Sequence, residues 1–302
     1  MWNDRSLLSM DQADAGQARL LLDAAHADAW RGDELAGKVV ANVFFEDSTR
    51  TRVSFSIAAQ SLGAKVVDLT SAGSSVAKGE TLLDTAWTIE AMGVDAMVVR
   101  AGQSGAAGLI DAHTQCAIIN AGDGTHQHPT QALTDALAIG RSFTREDGWD
   151  FSGLKVAIVG DVVSSRVARS NVGLLTALGA EVVLVGPPSM VPGSLRSLGC
   201  SVTSDFDSVL GECDAAMMLR IQFERGGGAV LGSTREYHAR FGMSAARGGR
   251  MKDGAIVMHP GPMNRGVEIA AAVADGERSV VLDQVAGGVL VRKAALMHAI
   301  GK

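Results

Sequence analysis

Aromatic side chains are scarce in this 302-residue sequence, at 4% with a single tyrosine, and there is no basic excess. Lys+Arg 27 against Asp+Glu 33 leaves a formal net charge of −6. A chain with neither stacking platforms nor a cationic stripe lacks the footprint of a nucleic-acid binder, and no nucleic-acid partner is expected. The three cysteines, Cys116, Cys200 and Cys213, are odd in number and lack C-x-x-C spacing. Each lies in or beside an apolar stretch and reads as a small buried residue. No apolar segment of signal-peptide length opens the sequence, and no uncharged run approaches a membrane span, so a cytoplasmic chain without membrane contact is expected.

Nucleotide and nucleophile motifs are missing too. In "SAGSSVAKGET" Lys78 precedes Gly79, which is not the phosphate-loop order, and "GDVVSSRVARS" lacks the glycines a dinucleotide fingerprint needs after Gly160. There is no G-x-S-x-G and no paired-carboxylate site. His126 and His128 lack a third ligand at useful spacing, so neither metal nor other cofactor is expected.

What remains is an α/β protein. Hydrophobic residues make up 47%, charged residues 20%, and there are 36 glycines, a composition suited to many strand–turn–helix units. Short apolar runs recur as expected strands: "KVVANVFF", "KVVDL", "DAMVV" and "CAIIN", then "LKVAIVG", "EVVLVG", "CDAAMML" and "GAIVMHPG". Helical patterns separate them, beginning with one expected over 11–30 that sets Leu20, Leu21 and Ala24 on one face. The alternation predicts two domains, each a parallel β-sheet covered by helices. The polar stretch "SFTREDGWDFSG" marks the junction. The expected division is 1–140 and 150–282, with the last helix, about 283–302, packing back on the first domain.

Polar clusters follow the strands, which is where open α/β sheets bind ligands. "STRTR" follows "VVANVFF", Arg100 follows "DAMVV", "GDGTHQHPTQ" follows "CAIIN", "GDVVSSR" follows "LKVAIV", "RIQFER" follows "DAAMML" and "HPGPMNRG" follows "GAIVM". On this reading they converge on one cleft between the domains. Ser48, Thr49 and Thr51 place hydroxyls, and Arg50 a guanidinium fork, at a helix N-terminus, an arrangement suited to phosphate. His128, ahead of Pro129, offers a donor, with Gln131 one turn on. Arg166, Arg220 and Arg225, with Gln222, suit a carboxylate-bearing second substrate. Pro260, Gly261 and Pro262 make a rigid turn whose carbonyls can accept from an amine. A capping role for Ser48 or Thr49, solvated arginines and a plain Pro-Gly-Pro connector are the ordinary alternatives.

The stretches "FFEDSTRTRVSF", "SSVAKGETLLDT", "NAGDGTHQHPTQALTD", "RIQFER" and "HPGPMNRGVEI", in this order and across nearly the whole chain, resemble the aspartate carbamoyltransferase family. The resemblance implies the carbamoyltransferase fold and the transfer of a carbamoyl group from carbamoyl phosphate to L-aspartate, a step toward pyrimidines. It implies that Ser48, Thr49, Arg50 and Thr51 hold the phosphate, that Thr51, Arg100 and His128 contact the carbamoyl oxygen, and that Gln131 contacts its nitrogen. Pro260, Gly261 and Pro262 would lie against the carbamoyl group, and Gly261 also against the amine. Arg166, Arg220 and Gln222 would bind aspartate. Ser74 or Ser75, or both, would come with Lys78 from a neighbouring subunit of a homotrimer, Lys78 reaching both substrates. Association with regulatory or dihydroorotase-like chains is left open. Donors at Thr51, Arg100 and His128 would each be worth roughly 3 kcal/mol to a developing oxyanion, and the leaving phosphate could take the amine proton. Ala101 departs from the His of many relatives. An ornithine carbamoyltransferase, which carries H-C-L-P where this chain has His259–Pro262, is the rival reading; a non-catalytic scaffold of the same fold is another.

Overall fold

The computed structural model describes residues 5–70, 80–222 and 233–301. Ser74, Ser75, Lys78 and Arg225 lie outside them. The chain divides into two compact units, 1–137 with 286–302 and 138–285. The division falls inside two helices. The junction segment Ser142–Gly153 therefore belongs entirely to the second unit, because its Trp149 is fully buried against Gly140 of the preceding helix.

The first unit opens with α1 (Ala15–Ala27), followed by β1 (Val39–Phe44), α2 (Thr49–Ser61), β2 (Lys65–Thr70), α3 (Leu82–Ala91), β3 (Ala96–Ala101), α4 (Ala106–Asp111), β4 (Ala117–Asp123) and the start of α5 (Pro129–Ser142). Its four strands are all parallel in the order β2-β1-β3-β4. Helix α1 is shorter than its pattern suggests: the Asp14 carboxylate caps it, accepting from Gly16 and Gln17, and Asp28 ends it at φ 43°. It buries Ala18, Leu21, Leu22 and Ala25, a spacing of three and four residues, whereas Leu20 is 69% exposed. The expectation for Leu20 was wrong because that position falls across the helix from Ala18. A core of Ala41, Val43, Met97, Val99, Ile110 and Ile118 joins β1, β3 and β4 to the helices. Burying each large side chain contributes about 1.5–3 kcal/mol.

The second unit runs through β5 (Lys155–Val159), α6 (Arg166–Ala177), β6 (Glu181–Val185), a 3-10 turn (Gly193–Leu198), β7 (Ser201–Thr203) and β8 (Ala215–Met218). It continues with α7 (Thr234–Phe241), α8 (Ala245–Gly248), β9 (Ile256–Met258), α9 (Ala271–Ala274) and the first turn of α10 (Val281–Ile300). The sheet order is β7-β6-β5-β8-β9, again all parallel. The three-residue edge strand β7 carries no apolar run, and the sequence pattern did not reveal it.

The two sheets share a device at the amino ends of their strands. Asp95, just before β3, accepts from Val39 N at 2.8 Å and Lys38 Nζ at 2.9 Å. Asp214, just before β8, accepts from Lys155 N at 2.8 Å. Each carboxylate pins the start of the neighbouring strand. Cys116 and Cys213 are buried and free, and burial pushes both thiols up to about 11. Among the described residues no helix is long and apolar enough to cross a membrane.

Candidate active site

The order of the first sheet sets the carboxyl ends of β1, β3 and β4 side by side. Beyond β1, Ser48 is the N-terminal flanking residue of α2 with extended backbone (φ −161°, ψ 91°), and its hydroxyl makes no capping hydrogen bond. The Ser48 hydroxyl does not occupy the N–H groups of the first turn, and no acidic residue stands in that turn to repel an anion. Thr49 and Arg50 are exposed on this turn and Thr51 is buried. Arg52 pairs with Asp68 of β2 at 3.2 Å, which ties it to the sheet and removes it as a ligand.

Arg100 stands at the end of β3, where the register with β4 shifts. Phe45 N donates to its carbonyl at 2.8 Å, its Nη1 donates to Ala121 O at 3.1 Å, and its Nη2 lies 3.5 Å from Glu46 Oε1. The guanidinium is thus braced by the loop after β1 and by the last residues of β4 at once, and is only 12% exposed.

The loop after β4 is organised by Asp123, which is 1% exposed. Its carboxylate accepts from Asn120 Nδ2, Gln127 N, Gly105 N and His126 Nδ1. Burial alone would raise its pKa; the bonds from His126, Asn120 and Gly105 outweigh it, and the carboxyl sits below its usual range. His126 is pushed up chiefly by its bond to Asp123, with Asp11 3.3 Å from its other nitrogen. Spacing alone did not assign these partners to His126. The turn delivers His128, 4% exposed, immediately before Pro129, which opens α5. One turn on, Gln131 Nε2 donates to Asp135 Oδ1 at 2.8 Å. Behind them Arg292 of α10 lies 5.2 Å over the Phe55 ring. Burial pulls this guanidinium down to about 10, Asp135 opposing the shift and Arg50 adding to it.

In the second unit, β5, β8 and β9 are neighbours and end together. After β5, Asp161 Oδ1 accepts from Ser164 N, Ser165 caps α6, and Arg166 occupies the first position of that helix, 5% exposed. Arg220 and Gln222 follow β8, half-buried. After β9 comes the turn carrying Pro260, Gly261 and Pro262, in which Gly261 takes φ 64°, a left-handed geometry that disfavours other residues.

That turn is held from beneath. Gly261 N donates to His259 Nδ1 at 2.7 Å, so Nδ1 is the acceptor and the ring proton sits on Nε2, which faces Glu268 Oε1 at 3.2 Å. Glu268 also accepts from Asn264 N, and Asn264 Nδ2 donates to Ile221 O at 3.1 Å, linking the turn to the segment between Arg220 and Gln222. His259 and Glu268 are fully enclosed. Gln222 Oε1, Asp161 Oδ2, Glu268 Oε2 and Tyr237 Oη are buried without a hydrogen-bond partner among the described residues. Buried polar atoms are ordinarily hydrogen-bonded. The Tyr237 hydroxyl is pushed up by burial first, then by the negative charges of Glu268 and Asp161.

Each unit therefore gathers expected site residues at its strand ends: Ser48 to Thr51, Arg100, His128 and Gln131 in one, and Arg166, Arg220, Gln222 and Pro260 to Pro262 in the other. The bracing groups Glu46, Asp123, Asp135, Arg292, His259 and Glu268 were not read as site residues. Only Asp135, four residues after Gln131 on one helix face, carried a local signal.

Residues 5–141 match the aspartate/ornithine carbamoyltransferase carbamoyl-P binding domain, and residues 152–299 match the Asp/Orn binding domain of the same family. The chain belongs to the aspartate/ornithine carbamoyltransferase family. It is 56% identical to the aspartate carbamoyltransferase catalytic subunit of Myxococcus xanthus, over 97% of this chain and 98% of that one. It is 51% identical to the corresponding subunit of Acidothermus cellulolyticus, over 98% and 93%. Among solved structures, Trypanosoma cruzi aspartate transcarbamoylase in complex with N-(phosphonacetyl)-L-aspartic acid superposes with a TM-score of 0.85 at 30% identity, covering 99% of this chain and 96% of that one.

Proposed function

We propose that this chain is a transferase that moves the carbamoyl group of carbamoyl phosphate to the amine of L-aspartate, giving N-carbamoyl-L-aspartate and phosphate. The observation that carries the reading is the 56% identity, over nearly the full length of both chains, to an aspartate carbamoyltransferase catalytic subunit. In this reading Ser48, Thr49, Arg50 and Thr51 hold the phosphate, and Thr51, Arg100 and His128 donate to the carbamoyl oxygen. Gln131 accepts from its nitrogen. Arg166, Arg220 and Gln222 bind aspartate, and the turn at Pro260, Gly261 and Pro262 offers carbonyls to the carbamoyl group and the amine. Ser74 and Lys78 reach the site of a neighbouring chain in a cytoplasmic homotrimer, Lys78 touching both substrates.

The chemistry is one of positioning and charge stabilisation. The neutral amine attacks the carbamoyl carbon, the C–N bond forms, and negative charge develops on the carbonyl oxygen near the three donors. Collapse breaks the bond to the phosphate oxygen, and the departing phosphate takes the amine proton. The pinned orientation of Arg100 supports this role, because a donor already braced needs little reorganisation as the charge grows. A carbamoylation assay with aspartate and ornithine side by side tests the reading. Turnover of aspartate with essentially none of ornithine is expected; the reverse preference overturns it.

A further inference from the structure

The contact between Gln131 and Asp135 constrains chemistry beyond the general reading of the site. An amide side chain has one donating and one accepting end, and which end faces a ligand depends on its neighbours. An ionised carboxylate only accepts. With Asp135 Oδ1 2.8 Å from Gln131 Nε2, the NH2 end of Gln131 is committed inward and Oε1 is turned away from Asp135. Asp135 itself is fully buried, so it has no solvent in which to relax, while Gln131 is half-buried and reaches the surface of the unit. The carboxylate has a counter-charge: Arg292, 5% exposed, is held by its Nη1 bond to Gly288 O at 2.6 Å and by the Phe55 ring. In the contact itself Asp135 Oδ1 is the accepting atom and Gln131 Nε2 the donating one.

We propose that Asp135 is a positioning residue that makes the site selective for an acyl phosphate bearing an NH2 group, by presenting Gln131 Oε1 as a fixed acceptor. This rests on the reading of Gln131 as the contact to the carbamoyl nitrogen. An acyl phosphate with a methyl in place of the amine, such as acetyl phosphate, has the same shape and phosphate but leaves that acceptor unpaired. Sites that hydrogen-bond a substrate N–H reject the analogue lacking it because their own polar group is stranded.

The test compares the KM for carbamoyl phosphate with the inhibition constants of acetyl phosphate and inorganic phosphate, on the full chain. In Asp135→Asn the new amide can donate, Gln131 can flip, and the preference for carbamoyl over acetyl phosphate is expected to fall roughly three- to tenfold, the worth of one neutral hydrogen bond. The inhibition constant of inorganic phosphate is expected to stay within about twofold of the wild-type value, since the Ser48–Thr51 turn is untouched. Gln131→Ala should lower the same preference. If Asp135→Asn strands Arg292 and fails to fold, the double variant Asp135→Asn with Arg292→Met removes both buried charges together. The carbamoyl-to-acetyl ratio then cancels any effect on phosphate binding. A wild-type ratio in the folded Asp135 variant, with a lowered ratio in Gln131→Ala, overturns the role of Asp135. A wild-type ratio in Gln131→Ala overturns the underlying contact, and the proposal with it.

Discussion

Arg50 and Arg52 sit two residues apart on one helix turn yet have different surroundings, Arg52 being paired with Asp68 of β2 while Arg50 is exposed and within the field of Arg292. Removing a guanidinium that bonds an anionic substrate costs about 1.5–3 kcal/mol, or roughly 10- to 150-fold in binding. Arg50→Ala is therefore expected to raise the KM for carbamoyl phosphate by about that factor, and Arg220→Ala to raise the KM for aspartate instead, in initial-rate measurements that vary each substrate in turn. Equal effects on both substrates from both variants would contradict the assignment of one anion to each unit. His126 gives a pH prediction. Its pKa is raised from 6.5 by Asp123, so the stability it contributes is fully present below 6.5 and is lost as pH rises through the higher folded value. Asp123, lowered from 3.8, loses its contribution only as pH falls through its folded value, well to the acid side. The stability difference between wild type and His126→Gln, from urea unfolding, is expected to be larger at about pH 6 than at about pH 9. An unchanged difference would mean that the imidazole is not charged in the folded loop.

Among the elements, those with strong local signals were legible in the sequence. The apolar runs ending at Phe44, Val99, Val159 and Met218 could be read as strands because central parallel strands are buried on both faces. Weak signals misled: Leu20 continues an apolar triplet but cannot share the face of Ala18, and Ser201–Thr203 is a strand only because β6 pairs with it. Helix α5 extends past the expected boundary for a packing reason. A Cβ at Gly140 would stand 2.3 Å from the Trp149 ring, and that ring is fully buried. Gly140→Ala is expected to lower stability by about 1–3 kcal/mol through overpacking, despite alanine's better helix propensity. A melting temperature equal to or above that of wild type would show that Trp149 can move aside.

At the scale of the whole molecule the proposed homotrimer makes its own prediction. If Ser74 and Lys78 serve a neighbouring chain's site, then mixing inactive Lys78→Ala chains with inactive His128→Ala chains should restore part of the activity, since some mixed sites receive both intact groups. No recovery after verified subunit exchange would place each site within one chain. The sequence by itself determined the α/β alternation, the absence of nucleotide fingerprints, and which residues stand as candidates for anion binding, because each of these is written in short contiguous stretches. Only the tertiary structure decided how those residues are aimed. Asp123 gathers four donors, the bond from Gly261 N sets the tautomer of His259 that faces Glu268, and Arg292 arrives beside Phe55 from the far end of the chain. Side-chain direction depends on partners that folding brings together from distant positions, and local pattern carries no record of those encounters.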